Sequence, residues 1–166
     1  MAVVVMGVSG CGKTTFARKL ADAIGGSFID ADDYHSASSI EKMRAGRALD
    51  DRDRKPWLRA VAVAAAECVE TPVIACSALK RSYRDILRAG IPSVFLHLDV
   101  PMDVVRSRVR ERGDHFFSEK LVASQFETLE PLEPDEHGVV LDGTLSLTEL
   151  LDAACSYVAG RSDGRG

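Results

Sequence analysis

A run of apolar residues long enough to cross a bilayer is missing from this 166-residue sequence. The chain also opens directly on a strand-like run, without the charged region and cleavable apolar stretch of a leader, so neither secretion nor membrane insertion is expected. Basic charge is not in excess either. Lysine and arginine number 21 against 25 acidic residues, a net charge of −4. That balance argues against a general binder of nucleic acid or of membrane surfaces, and it means that any basic chemistry must be locally placed. The 4 cysteines, Cys11, Cys68, Cys76 and Cys155, show no C-x-x-C spacing and fall well short of a disulfide scaffold. A reducing, cytoplasmic setting follows as the expectation. No internal period is present, which excludes a repeat protein. What remains is a chain with 46% apolar residues, long enough for one well-buried core and short for two. We therefore expect one domain over residues 1–160, with a loose tail at 161–166.

Against that background one segment stands out. Gly7-Val8-Ser9-Gly10-Cys11-Gly12-Lys13-Thr14 fits G-x-x-x-x-G-K-[ST] at every fixed position, directly after the apolar run Ala2–Met6. The glycines let backbone N–H groups turn onto phosphates, the Lys13 ammonium reaches the β- and γ-phosphates, and the Thr14 hydroxyl suits Mg²⁺. Gly10, Cys11, Gly12, Lys13, Thr14 and Thr15 are thus the expected nucleotide contacts. Phe16, Leu20 and Ile24 give the following helix a buried stripe, and its positive N-terminal end points at the same anion. Cys11 reads either as a small filler of the loop or as an oxidation-sensitive thiol. The motif by itself names no reaction, because switch GTPases, motor ATPases and small-molecule kinases share it.

Further short apolar runs at Ser27–Asp30, Pro72–Cys76, Ser93–Asp99 and Gly138–Asp142 alternate with helical patterns. The patterns fall at 13–24, about 56–70, 80–89, 102–112, 118–130 and 146–159, with a short one near Ile40–Ala45. This alternation predicts a parallel five-stranded sheet flanked by helices, an α/β fold of the P-loop NTPase type. Residues 31–56 are too polar and too many for a simple connection, and 112–118 form a second irregular stretch. In such a sheet both lie beside the carboxyl ends of the strands, so the first is an expected acceptor-binding insertion and the second an expected lid.

Candidate chemistry clusters at those ends. Asp30 and Asp32 share a strand face if extended geometry persists, which suits Asp32 as the base for an acceptor hydroxyl and Asp30 as part of a Mg²⁺ shell. His35 reads equally as a contact to substrate hydroxyls or as a structural hydrogen-bonder. In Asp50–Trp57, a charged run with a helix-starting proline, Arg54 is a candidate carboxylate clamp. Ser77 sits where ligand binds, and Lys80 and Arg84, one helical turn apart, can present one positive face, with Arg81 and Arg88 left to solvent. Arg108 and Arg112 are spaced the same way, one suited to stack on a base while the other reaches phosphates.

Taken in order, these segments resemble the gluconokinases, small P-loop enzymes that phosphorylate gluconate on its 6-hydroxyl. Beyond the phosphate loop the likeness runs through Asp30-Ala31-Asp32 with His35, Ile40-Glu41-Lys42-Met43, Leu49 to Leu58, Cys76-Ser77-Ala78-Leu79-Lys80 and Tyr83-Arg84-Asp85. It continues through Arg108, Arg112, His115-Phe116-Phe117 and Ser124 to Glu130. The resemblance implies a nucleoside-monophosphate-kinase-like fold, a homodimer, ATP and Mg²⁺, and gluconate as the small-molecule partner. It implies catalysis by Lys13, Asp32 and Arg112, and acceptor contacts from Asp32, His35, Arg54, Ser77, Lys80, Arg84, His115 and Gln125. The chain departs from the family's usual residues at Ala31 for glycine, Ser36 for proline, Ser39 for asparagine and Asp114 for glycine. A shikimate-like kinase, a nucleoside monophosphate kinase and a regulatory nucleotide-binding module remain alternatives.

Overall fold

The computed structural model describes residues 1–111 and 119–162, with the backbone alone for Glu119, Lys120 and Ser162. Five strands, β1 (Ala2–Met6), β2 (Ser27–Asp30), β3 (Pro72–Ala75), β4 (Ser93–Asp99) and β5 (Gly138–Asp142), form one sheet in the order β2-β3-β1-β4-β5. Every pairing is parallel. The central strand shows why an unbroken apolar run is required there. Val3 and Val5 pack on one side with Phe16, Leu20, Ala154 and Val158, whereas Ala2, Val4 and Met6 pack on the other with Trp57, Leu58, Val61 and Leu87. A strand buried on both faces has no position for a polar residue.

The helices that cover the first face include α1 (Lys13–Ile24), α5 (Met102–Glu111), α6 (Glu119–Thr128) and α7 (Leu147–Ser162). The second face is covered by α3 (Asp51–Ala66) and α4 (Arg81–Gly90), while α2 (Ala37–Arg44) lies in the insertion after β2. β1 lies between β3 and β4, and the connection leaving β1 runs toward the β2 edge whereas the one leaving β3 runs toward the β5 edge. The sheet therefore opens a crevice at the carboxyl end of β1, where the phosphate loop begins. Among the described residues no helix is long and apolar enough to cross a membrane.

Of the predicted boundaries that shift, three change the reading of the chain. The helix predicted from residue 56 begins at Asp51, because Asp50 accepts from the Arg52 and Asp53 N–H groups at 2.8 and 3.0 Å and Asp53 accepts back from Asp50 N–H at 3.1 Å. That reciprocal capping box places Pro56 inside the helix rather than at its start. The short helix near Ile40 begins earlier, at Ala37, because Ser36 caps it by accepting from Ser39 N–H at 3.1 Å. Ser36 and Ser39 also hydrogen-bond through their hydroxyls at 3.0 Å, so two departures from the family's usual residues serve one cap. Finally, α7 runs on to Ser162, so the stretch expected as tail from residue 161 is helical as far as the structure describes it. The expected lid at 112–118, including Asp114, and residues 163–166 lie outside the described residues.

Candidate active site

The phosphate loop joins β1 to α1 in a backbone shape that its glycines permit. Gly10 and Gly12 have φ of +85° and +103°, in the left-handed region, and a Cβ at Gly10 would stand 2.8 Å from Val109 Cγ2 of α5. Cys11 is buried under the loop, the position of a filler. Lys13 Nζ donates to the Val8 carbonyl at 2.9 Å, which folds the ammonium back over the loop. The loop is also gripped from outside. Arg108 donates to the Cys11 carbonyl at 3.1 Å and to the Gly143 carbonyl at 3.3 Å. Gln125 of α6 accepts from Ser9 N–H at 2.6 Å.

A cleft of about 180 Å³ opens beside the loop, lined by Ser9, Lys13, Thr14, Asp30, Asp32 and Ser77 among others. Both predicted acids are in it, though by a different geometry from the one expected. The strand ends at Asp30, whose Oδ1 accepts from Asp32 N–H at 3.1 Å and caps a 3-10 helix over Ala31–Tyr34. The pair reaches the cleft through that turn, not by strand alternation. Thr14 Oγ1 donates to Asp30 Oδ2 at 3.4 Å, so two oxygens suited to a hard cation converge. Ala31, where the family usually has glycine, is fully buried in the turn and outside the positive-φ region.

The environments push these two carboxyls apart. Burial raises Asp30, and the neighbouring charges of Asp32 and Asp33 add to the rise. Asp32, whose carboxylate is exposed, is lowered, first by its contact with His35 and further by the positive charge of Lys13. An acid held in its ionised form at the cleft is equipped to take a proton. His35 Nε2 stands 3.7 Å from Asp32 Oδ1, and its ring stacks on Trp57 with centroids 4.2 Å apart. Trp57 in turn donates from Nε1 to the Ala31 carbonyl at 2.6 Å. His35 thus sits as a neighbour of the acid, with its Nδ1 buried and without a hydrogen-bond partner. Trp57, which sequence reasoning did not place in the site, pins both the turn and the imidazole.

Two of the three cations predicted as acceptor anchors come together around Tyr83. Arg54 donates to the Tyr83 hydroxyl at 3.1 Å, and Tyr83 donates to Asp51 Oδ1 at 2.6 Å. Lys80 Nζ lies 3.6 Å from the same Asp51 oxygen. The Arg54 and Lys80 charges each stand 5.5 Å from the Tyr83 ring centroid. Asp51 and Tyr83 were missed as site residues. The signal was present in the sequence, since a helix starting at Asp51 sets Asp51 and Arg54 on one face.

Arg84 is the correction. Lys80 is the N-cap of α4 rather than part of it, so the two do not share a helical face. Arg84 is fully buried, and each of its guanidinium nitrogens is engaged. It holds Glu136 through two bonds of 2.7 Å and the carbonyls of Ala78, Leu79, Glu130 and Pro131 at 3.1–3.3 Å. No donor is left to anchor a substrate. Its role is to fix the turn that carries Ser77 and Lys80, where Ala78 has a φ of +43°. Arg81, expected in solvent, pairs with Glu133 and Asp135 at 2.5 and 2.6 Å, and Arg88 pairs with Asp85. Gln125 is directed at Ser9 of the phosphate loop. Thr15 is exposed on the first turn of α1. Arg112 and His115 lie outside the described residues.

A phosphate loop at the switch point of a parallel sheet, with two acids in the cleft beside it, defines the chain as a P-loop kinase. The AAA domain family matches residues 3–132. The thermoresistant gluconokinase of Escherichia coli K12 is 44% identical over 142 residues, which cover 83% of this chain and 81% of that one. A thermosensitive gluconokinase of the same bacterium is 45% identical over 141 residues, 82% of this chain and 75% of that one. The crystal structure of a gluconokinase from Sinorhizobium meliloti 1021 superposes with a TM-score of 0.88 at 38% identity, covering 98% of this chain and 93% of its own. The chain belongs to the gluconokinase family.

Proposed function

We propose that the protein transfers the γ-phosphoryl group of MgATP to the 6-hydroxyl of D-gluconate, giving 6-phosphogluconate and ADP. The observation that carries the proposal is that Asp32 lines the same cleft as Lys13, Thr14 and Ser77, while Lys80 and Tyr83, on the turn and helix that follow Ser77, meet Arg54 and Asp51 of α3. The acceptor hydroxyl oxygen forms a bond to the γ-phosphorus as the bond from that phosphorus to the β–γ bridging oxygen breaks. The hydroxyl proton passes to Asp32, and ADP carries away the electron pair. Lys13 and, by family resemblance, Arg112 neutralise the charge that develops on the transferring group. Arg54 and Lys80 hold the gluconate carboxylate, and Ser77 a hydroxyl. Thr14 and Asp30 have the hard oxygens to hold Mg²⁺, which when bound neutralises phosphate charge.

Family resemblance supports a homodimer, and four free cysteines support a reducing, cytoplasmic setting. The test is ADP release with MgATP and gluconate beside shikimate, nucleoside monophosphates and no acceptor. Gluconate-dependent release with a 6-phosphorylated product is the expected result. Release with another acceptor alone would overturn the choice of substrate, and acceptor-independent behaviour throughout would overturn the transfer itself.

A further inference from the structure

Gln125 makes two bonds to one residue. Its Oε1 accepts from the Ser9 backbone N–H at 2.6 Å, and its Nε2 meets Ser9 Oγ at 3.1 Å. The first bond fixes the second. A backbone N–H only donates, so the carboxamide oxygen must face it and the NH₂ must face the hydroxyl. An NH₂ only donates, so Ser9 Oγ is the acceptor and its own proton is left to point elsewhere. Ser9 lines the cleft with Lys13 and Thr14. The proton of that hydroxyl is therefore free to serve a group bound in the cleft.

We propose that Gln125 is a positioning residue acting through Ser9: the carboxamide locks the third residue of the phosphate loop and aims its hydroxyl proton at the γ-phosphoryl oxygens. The proposal rests on the kinase reading but not on the identity of the acceptor. It also replaces the expectation that Gln125 contacts gluconate. Ser9 Oγ–H contributes a donor whose aim is set before nucleotide arrives, and a preorganised donor stabilises developing charge without reorganising. The sequence carries no local sign of this pairing, because the two residues are 116 positions apart.

The experiment is a double-mutant cycle on Ser9→Ala and Gln125→Ala, read as kcat, the KM for each substrate and MgATP affinity by direct titration. Each single variant should lower kcat about tenfold and leave the gluconate KM within about twofold, the scale of one directed hydrogen bond. The double variant should fall clearly short of the product of the two single effects, because in Ser9→Ala the carboxamide keeps its bond to the residue 9 N–H but has no hydroxyl left to aim. Gln125→Glu supplies a variant of the same length. It accepts from Ser9 N–H but also accepts the hydroxyl proton, and so should lose kcat at least as fully as Gln125→Ala. Effects that multiply in the double variant would overturn the proposal, as would a raised gluconate KM at normal kcat in Gln125→Ala. The titration needs no acceptor. A wild type silent with gluconate would sink the substrate assignment while still testing whether the Ser9 and Gln125 effects on nucleotide affinity are additive.

Discussion

Arg54 donates to the phenol oxygen of Tyr83 at 3.1 Å and also stands over its ring at 5.5 Å, so one aromatic side chain orients the cation from face and edge. The phenol in turn donates a hydrogen bond to Asp51. With its planar fork held this way, Arg54 is preorganised for a carboxylate. Arg54→Ala should raise the gluconate KM about 10- to 100-fold and leave the ATP KM nearly unchanged. Tyr83→Phe keeps the ring and removes the oxygen, and should raise the gluconate KM severalfold with kcat retained. Equal effects on both substrates in steady-state kinetics would remove this cluster from the acceptor site.

In the proposed transfer Asp32 is the group that takes the proton, and Asp32→Asn keeps its size while removing that capacity. Turnover should fall about 10²–10⁴-fold, with much smaller changes in either KM. Near-normal turnover would end its assignment as base. Since His35 helps hold Asp32 below its ordinary pKa of 3.8, His35→Gln should move the acidic limb of the pH–rate profile upward. An unmoved limb would show that His35 serves the turn alone.

The phosphate loop and the five strands were legible because each rests on local pattern: fixed residue types at fixed spacing, and apolar runs that only a doubly covered strand tolerates. Lys13, Thr14, Asp30, Asp32 and Ser77 were found that way, and the cleft contains all of them. Arg84 was misjudged for a physical reason. Its spacing from Lys80 is that of a charged helical face, but its carboxylate partner is 52 residues downstream in a segment without secondary structure. Tyr83 and Trp57 escaped because an aromatic residue on an amphipathic helix looks like core. Only the structure shows that Tyr83 meets Arg54 and Asp51 and that Trp57 holds the Ala31 carbonyl and the His35 ring.

Cysteine chemistry offers a separate check on burial. Cys76, at the end of β3 beside the cleft, has its thiol pushed up to about 12 by burial, with the nearby charge of Asp32 adding to the shift. A thiol that stays protonated is a poor nucleophile. In the folded protein near neutral pH, iodoacetamide should label Cys68 and Cys155, which are only partly buried, well before Cys76 or Cys11. Mass spectrometry of the labelled peptides reads the order directly, and rapid labelling of Cys76 would contradict its placement.

On the surface, Arg81 grips Asp135 in a bidentate pair and holds its carboxyl down to about 2 from the ordinary 3.8. A depressed carboxyl stabilises the fold fully above its unfolded pKa, and that contribution is lost as pH falls from 3.8 toward 2. Asp135→Asn removes the titration. Denaturant melts across this window should therefore show wild type losing stability more steeply with acid than the variant does. Raised salt should narrow the difference, because the pair is open to solvent.

The buried pair of Arg84 and Glu136 is a different case, since both side chains have no solvent exposure. Burial pushes the Glu136 carboxyl up, but the Arg84 bonds and charge more than offset this and hold it below its ordinary value. Glu136→Ala strands the guanidinium in the core and should cost about 3–5 kcal/mol, read as a drop in denaturation midpoint. In a plain ion pair, replacing both partners with apolar residues would recover most of that loss. Here Arg84 also serves four carbonyls, two in the turn bearing Ser77 and Lys80 and two at Glu130 and Pro131. Arg84→Met with Glu136→Leu should thus remain clearly less stable than wild type, because those carbonyls lose their donor inside the protein. The double variant should also raise the gluconate KM, since Lys80 and Ser77 ride on the released turn. Full recovery of stability would show that the carbonyl bonds contribute nothing, and a normal gluconate KM would separate the clamp from the acceptor site.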